Sequence, residues 1–517
     1  MDSIFLDVAK LHGLLYFVIF VLMTYLLLRL VEYLVLKPAP EEPPLVRSPV
    51  PFLGHIFGLL GYGVSYYAYL RAKTNLPILT LYLASQKTYI VNSPELIALI
   101  SRRQKEIDGH IPFITIVYGK LFGFPQHDVS ELLRNPMEKG SLRQAAHVIE
   151  HTLLAPNTAA SKEVYTKIFN GLADHINKIG EGQQSIAIQQ WLQTAFTLST
   201  ANALHGPNGP FAQSPDLVNT FWDFENGLKA LTMGVLPSIT ASTPAAARQR
   251  LVDVLMDYFG DSFPADSACE LVRRGREMAQ EHNRGTEFMA RYGLGLLTGF
   301  VINTVPATFW MVVRIARDAT LLAKVREELS TVIKPSSHGE GRVTVDVSAI
   351  HSNCPLLMSI CHETLRCISS STGTFLVNQD VSIADQFVLK KGAILQMAAT
   401  AIHSNPAVWG SDAKSFDAER FLKPNKTHPA ANRTFGGGST LCPGRHLAVD
   451  EMLTFTAMFI FTFDFMTTSG PDGLPEQDDT NMLSVKKPRS DVLLTLQRRQ
   501  GMEHEKWIFG DNTPGTL

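Results

Sequence analysis

Cysteine is scarce in this chain, with five in 517 residues: Cys269, Cys354, Cys361, Cys367 and Cys442. A thin, odd-numbered supply argues against a disulfide framework and points to free thiols in a reducing compartment. Cys354, Cys361 and Cys367 lie near His351 and His362 in sequence, but no C-x-x-C pair of the kind zinc sites use is present. They are expected to be buried helix cysteines. Net charge is also nearly absent, with 46 basic side chains against 48 acidic ones, so no global field favours nucleic acid or an acidic substrate. Internal repeats and long low-complexity tracts are missing, and one large domain is the simplest organisation beyond residue 50.

What is present begins with an apolar run. Residues 13–28, GLLYFVIFVLMTYLLL, carry no charge, and apolar character continues past Arg29 to Leu36. A bilayer core of about 30 Å needs roughly 20 such residues. The run can span it if Arg29 and Glu32 sit toward one interface. No small-residue cleavage site follows directly, so residues 1–36 read as a retained transmembrane anchor rather than a signal peptide. Asp2 and Asp7 precede the run while Lys37 and Arg47 follow it, which places the body in the cytosol. There the sequons at Asn425 and Asn432 would carry no glycan. Residues 37–50 are proline-rich and read as a semi-rigid hinge, leaving residues 51–517 as the catalytic body.

Within that body, ILTLYLASQKTYIVNSPELIALI (78–100) alternates as a strand pair and then enters a helix after Ser-Pro. Helical periodicity dominates from about 140 to 370, and short strands return near SIADQFVLKKGAILQMA. The fold class is therefore mainly α with a minor β portion.

FGGGSTLCPGR, residues 435–445, places one cysteine after three glycines and directly before a helix starting near Arg445. A helix N-terminus favours thiolate over thiol. A thiolate serves as a metal ligand or a nucleophile, and His446 is poorly placed to be the base of a nucleophile. A single thiolate in a glycine-cleared loop suits an axial ligand to haem.

The loop resembles the cysteine-ligand loop of the cytochrome P450 superfamily, with Phe435, Gly436, Gly438, Cys442 and Gly444 at the family's spacing. ETLR is similar to its Glu-x-x-Arg pair, here Glu363 and Arg366. FDAERF is similar to its Pro-Glu-Arg-Phe element, with Ala418 in place of proline and Arg420 as the arginine. The hinge with PFLGH resembles the family's entry segment. The resemblance implies the P450 fold behind a single N-terminal transmembrane helix, and haem b (iron protoporphyrin IX) with Cys442 as its iron ligand. It implies a structural triad of Glu363, Arg366 and Arg420.

YGLGLLTGFVINTVPATFW and the residues up to Val313 carry no charge over twenty-two positions, yet Asn303, Thr304 and Pro306 interrupt them. A buried central helix is expected there rather than a second span. Pro306 removes the i+4 donor for the carbonyl of Ile302, so the helix should open at that point. By resemblance Thr304 and Asn303 are the catalytic pair that holds water and delivers protons on the distal haem face. The run is most similar to the clan of steroid 7α- and 12α-hydroxylases and prostacyclin synthase.

Departures from the family pattern are specific. Phe300 and Val301 replace a small Ala-Gly pair and would narrow the pocket, and Asn303 is an amide where the family often has an acid. Thr440 stands where a basic residue usually meets a haem propionate, and SSSTGTFLVNQD lacks the arginine commonly found there. Another basic residue must compensate. Ser370 to Phe375 are expected beside the substrate.

The function these features imply is a membrane-bound haem-thiolate monooxygenase of the endoplasmic reticulum. It would use O2 on a lipophilic sterol, terpenoid or other specialised metabolite drawn from membrane lipid. Its electrons would come from NADPH-cytochrome P450 reductase, docked at a basic edge that includes Arg433 and Arg445. A haem-thiolate isomerase or dehydratase needing no reductase, and a non-catalytic haem-binding membrane protein, are the alternatives.

Overall fold

The computed structural model describes residues 2–509 except 234–239, 336–340, 425–426, 467–472 and 481–484. The sequon at Asn425 and the last eight residues of the expected catalytic body lie outside the described residues.

Helix α1 (Asp2–Val35) contains the apolar span His12–Val35, whose most apolar stretch is not buried inside the protein. Length and composition allow this helix to be a membrane anchor. The two charged residues of the span, Arg29 and Glu32, turn toward the following segment. Arg29 pairs with Glu32 at 2.5 Å and donates to the carbonyl of Ser48 at 2.7 Å. Glu32 accepts the Phe52 N–H at 2.9 Å. Residues 37–50 therefore run as a fastened strap. Val46 N–H donates to Thr80 O and Thr80 N–H to Pro44 O, which adds an edge to strand β1 (Ile78–Leu83). An edge is the one place in a sheet where a proline-rich segment is accommodated.

β1 forms a hairpin with β2 (Gln86–Val91), in register Leu79↔Ile90. Helix α2 (Pro94–Ile100) follows, with Ser93 accepting the Leu96 N–H as its cap and Pro94 in the first turn. The larger sheet has the order β1-β2-β5-β4-β3, with β3 (Ile107–Asp108), β4 (Thr372–Val377) and β5 (Ile394–Ala398). β5 runs parallel to β2 and antiparallel to β4, so Leu395 faces both Tyr89 and Phe375.

The rest is a helical body. Four helices position the site: α3 (Leu142–Leu153), the pair α4 (Thr286–Val301) and α5 (Thr304–Arg317), and α6 (Pro355–Ile368). A fifth, α7 (Arg445–Thr462), packs on α5. The apolar stretch of α4 and α5 is 83% buried within the protein, which assigns it to the core rather than to a bilayer. The helix breaks at residues 302–303. Pro306 then falls in the first turn of α5, where its missing N–H leaves no helical bond unmade. Cys269, Cys354 and Cys361 are fully buried and all five thiols are free.

Candidate haem-thiolate site

Cys442 lies on the turn that feeds α7, its N–H donating to Phe435 O at 3.0 Å. Gly436 and Gly438 adopt φ of 72° and 63°, left-handed values that glycine reaches without strain. A side chain at Gly437 would meet Arg433 Nη1 at 2.3 Å, so that glycine makes room for the guanidinium. Gly444, with φ −83°, has no such backbone need, and an added methyl there would meet no protein atom within 4 Å. Phe435 is half-buried against the main core.

The thiol does not follow the expectation of a depressed pKa. Burial pushes Cys442 up, and the Gly444 N–H and the Arg445 guanidinium, which act in the other direction, do not offset it. Desolvation in this half-buried turn outweighs the helix terminus. A bound cation would reverse that balance.

Three motif residues far apart in sequence come together. Glu363 is fully buried and Arg366 nearly so. Arg366 grips the carboxylate through Nε and Nη2, both at 2.7 Å. Arg420 Nε adds a third contact at 3.0 Å and the Asp417 N–H a fourth, also at 3.0 Å. Arg366 Nη1 also donates to the carbonyls of His403 and Ala413, each at 2.7 Å. The cluster ties α6 to the segment leading into the cysteine loop.

Thr304 is buried and its hydroxyl donates to Phe300 O at 2.9 Å. Asn303 Oδ1 accepts the Val485 N–H at 3.2 Å, so this amide fastens a neighbouring loop as well as bordering the break. A residue the sequence reading missed stands behind Thr304. Glu451 of α7 is 1% exposed, and its carboxyl hydrogen-bonds with Thr304 while Oε1 has no partner. Burial, reinforced by neighbouring Asp450, holds this carboxyl well above the usual carboxylate range; the contact with Thr304 opposes the shift without cancelling it. The Thr304 hydroxyl thus stands between two oxygens, Phe300 O and the carboxyl of Glu451. The available sequence signal was an acid inside an apolar helix.

Ser370 is fully buried, and the Phe375 ring comes within 3.0 Å of where a side chain at Gly109 would project. Val301 is buried, whereas Phe300 is only partly so. Arg433 corrects an expectation: at 5% exposure it cannot belong to a docking edge, because the glycine loop and β4 enclose it. Arg445 is half-buried and donates to Cys442 O at 3.1 Å. A surface cleft of about 460 Å³ lies between Glu225, Lys229, Lys487 and Arg489, and shares no residue with the cysteine loop or α5.

The residues present fit an iron porphyrin. The loop offers one sulfur and open space at Gly444, and two buried nitrogens, Arg433 Nε and His110 Nδ1, have no hydrogen-bond partner. Among the described residues no group of three or more His, Cys, Asp or Glu could hold a metal by itself.

The Cytochrome P450 family model matches residues 291–494, the stretch that carries the break, the triad and the cysteine loop. The chain carries a cytochrome P450 domain. Cytochrome P450 monooxygenase nodJ of Hypoxylon pulicicidum is 28% identical over 91% of this chain and 92% of its own length. Cholesterol 7-alpha-monooxygenase of Cricetulus griseus is 25% identical over 53% of this chain and 58% of its own. Among solved structures, the retinoic-acid-bound cyanobacterial CYP120A1 superposes with a TM-score of 0.68 at 17% identity, covering 90% of this chain and all of that one. The protein is a P450 enzyme with relatives named monooxygenases. The family implies a haem cofactor, and its monooxygenases take electrons from a redox partner.

Proposed function

We propose that this P450 is a membrane-anchored monooxygenase that places one oxygen atom from O2 into a lipophilic small molecule of the sterol or terpenoid kind. The observation that carries the reading is Cys442, presented on a glycine turn at the start of α7, with Thr304 on the helix packed against α7. Haem b held by Cys442 supplies the electron and O2 chemistry when bound. NADPH-cytochrome P450 reductase would deliver the electrons, and α1 would hold the body at the endoplasmic reticulum surface near a lipid-dissolved substrate. The relative named for cholesterol 7-alpha-oxidation supports a polycyclic lipid as substrate class.

The protein's part in the reaction is proton management. Thr304 holds a proton at Oγ, and neutral Glu451 stands behind it as the acid that the amide of Asn303 cannot be. General acid catalysis by a positioned group contributes about 10²-fold or more. Glu451→Gln is therefore expected to lower product formed per NADPH consumed by roughly that factor, while NADPH oxidation continues. Glu451→Asp should restore part of the loss.

A stability measurement separates this role from packing. The folded acid stays protonated above the unfolded value of about 4.3. Wild type therefore loses stability as pH rises beyond that value, because the unfolded chain then releases a proton that the folded chain keeps. Glu451→Gln is expected to lack this loss and to be at least as stable at pH 7. A destabilised variant with unchanged coupling would overturn the assignment.

The reaction itself is tested with membranes carrying the full chain and reductase, fed lipophilic extracts under labelled O2. One labelled oxygen gained only with NADPH is expected. A product of unchanged mass formed without NADPH would transfer the reading to an isomerase.

A further inference from the structure

Arginine is rarely buried without an anion, because desolvating a guanidinium costs several kcal/mol unless it is paired. Arg433 is only 5% exposed, and no acid pairs with it among the described residues. Its Nη2 approaches only the sulfur of Met397, at 3.7 Å, and its Nε has no partner. Burial alone brings its pKa down to about 10.

The orientation of this guanidinium is imposed. The Arg433 N–H donates to His403 Nε2 at 2.9 Å, while His403 Nδ1 lies 3.0 Å from the carbonyl of Arg366. A carbonyl only accepts, so His403 carries its proton on Nδ1 and presents a lone pair at Nε2. Burial keeps this imidazole neutral, its pKa lowered to about 3. The backbone of Arg433 is thereby tied through His403 to the Glu363–Arg366 cluster. From that mount the guanidinium enters between the glycine loop and β4. Side chains built at Gly437 and Gly373 would lie 2.3 Å from Nη1 and 3.9 Å from Nη2.

Those two borders are the places where basic side chains are missing, at Thr440 in the loop and in the segment around β4. We propose that Arg433 binds a carboxylate of the haem, doing from one buried position the work of the two absent basic residues. A planar fork of donors aimed between loop and sheet suits a carboxylate in bidentate fashion. The proposal rests on the haem-thiolate reading above.

A bound carboxylate has a signature that a packing role lacks, since the same substitution then acts with opposite sign on the loaded and unloaded protein. Full-length wild type, Arg433→Lys and Arg433→Met are compared in two measurements. The first is the rate at which purified holoenzyme gives up haem to excess apomyoglobin. The second is the thermal midpoint of each chain produced under haem-limited conditions. Arg433→Met is expected to lose haem about 10 to 100 times faster, as when an outer partner of a metal site is removed, with Arg433→Lys between the two. In the haem-poor chains Arg433→Met should have a midpoint at or above that of wild type, because an unpaired buried cation has gone. Equal haem loss from Arg433→Met and wild type, or destabilisation of both forms alike, overturns the proposal while the haem-thiolate reading stands. Wild type that takes up no haem at all would sink the underlying reading and this one with it.

Discussion

Cys442→Ser is expected to abolish NADPH-dependent oxygenation, to below about one-hundredth of wild type, since losing even an outer partner of a metal site costs 10- to 100-fold. Serine differs by one atom and keeps the N–H that donates to Phe435 O, so the turn and α7 should be retained. What disappears is the sulfur, the donor that directs electron density to the iron in this family. None of the other four cysteines can replace it. Cys354 and Cys361 are fully buried, with burial pushing each thiol up to about 12, while Cys269 is also buried and Cys367 half-buried, and both of these thiols are raised as well. The decisive measurement is the absorption spectrum of the reduced carbonyl complex beside turnover. A serine variant with the wild-type spectrum and activity would remove Cys442 from its proposed role.

Glu363→Gln carries the largest expected effect on stability. The carboxylate is fully buried and accepts from Arg366, Arg420 and the Asp417 N–H. Neutralising it leaves two guanidinium groups facing each other without their shared anion. Arg420 retains Asp412 at 3.0 Å, but Arg366 keeps only carbonyl acceptors and the weak sulfur of Cys367. Breaking a buried pair from one side costs about 3 to 5 kcal/mol, a large part of the usual stability of a folded domain. Thermal midpoint and soluble yield should both fall. Arg366→Lys should fall nearly as far, because an ammonium cannot reproduce a fork that reaches Glu363 and the carbonyls of His403, Ala413 and Ser415 together. Through His403 the damage should extend to Arg433, so that any protein recovered also loses haem faster. A Glu363→Gln variant within 1 kcal/mol of wild type, by the same scale, would show that the cluster is not the keystone of this region.

Several features were legible before any fold was known because each is set by residues close in the chain. The cysteine turn needs glycines where backbone φ is positive and ends where α7 begins. The break before α5 follows from the missing N–H of Pro306. The hairpin of β1 and β2 and the capped α2 follow from alternation and from Ser93-Pro94. The apolar stretch through α4 and α5 was harder, since composition alone allows a bilayer or a core, and only packing assigns it to the core.

Residues 37–50 had the composition of a semi-rigid hinge. Residues 43–46 of this segment are fastened to β1, because the unpaired edge of that strand offers the hydrogen bonds that solvent would otherwise supply. Arg433 read as one more surface charge, since nothing in its neighbours announces that the loop and β4 close over it. Glu451 was missed, because which of Asp450 and Glu451 faces inward depends on where α5 packs.

The sequence by itself pointed to the family, the candidate iron ligand and the members of the Glu363–Arg366–Arg420 cluster, through the resemblance of short motifs whose residues lie close in the chain. Tertiary structure decided which charges are buried and what they face: Glu451 against Thr304, and Arg433 against the cysteine loop. Burial and pairing between distant segments are properties of the packed chain, and the energy of a charge depends on its surroundings far more than on its neighbours in sequence.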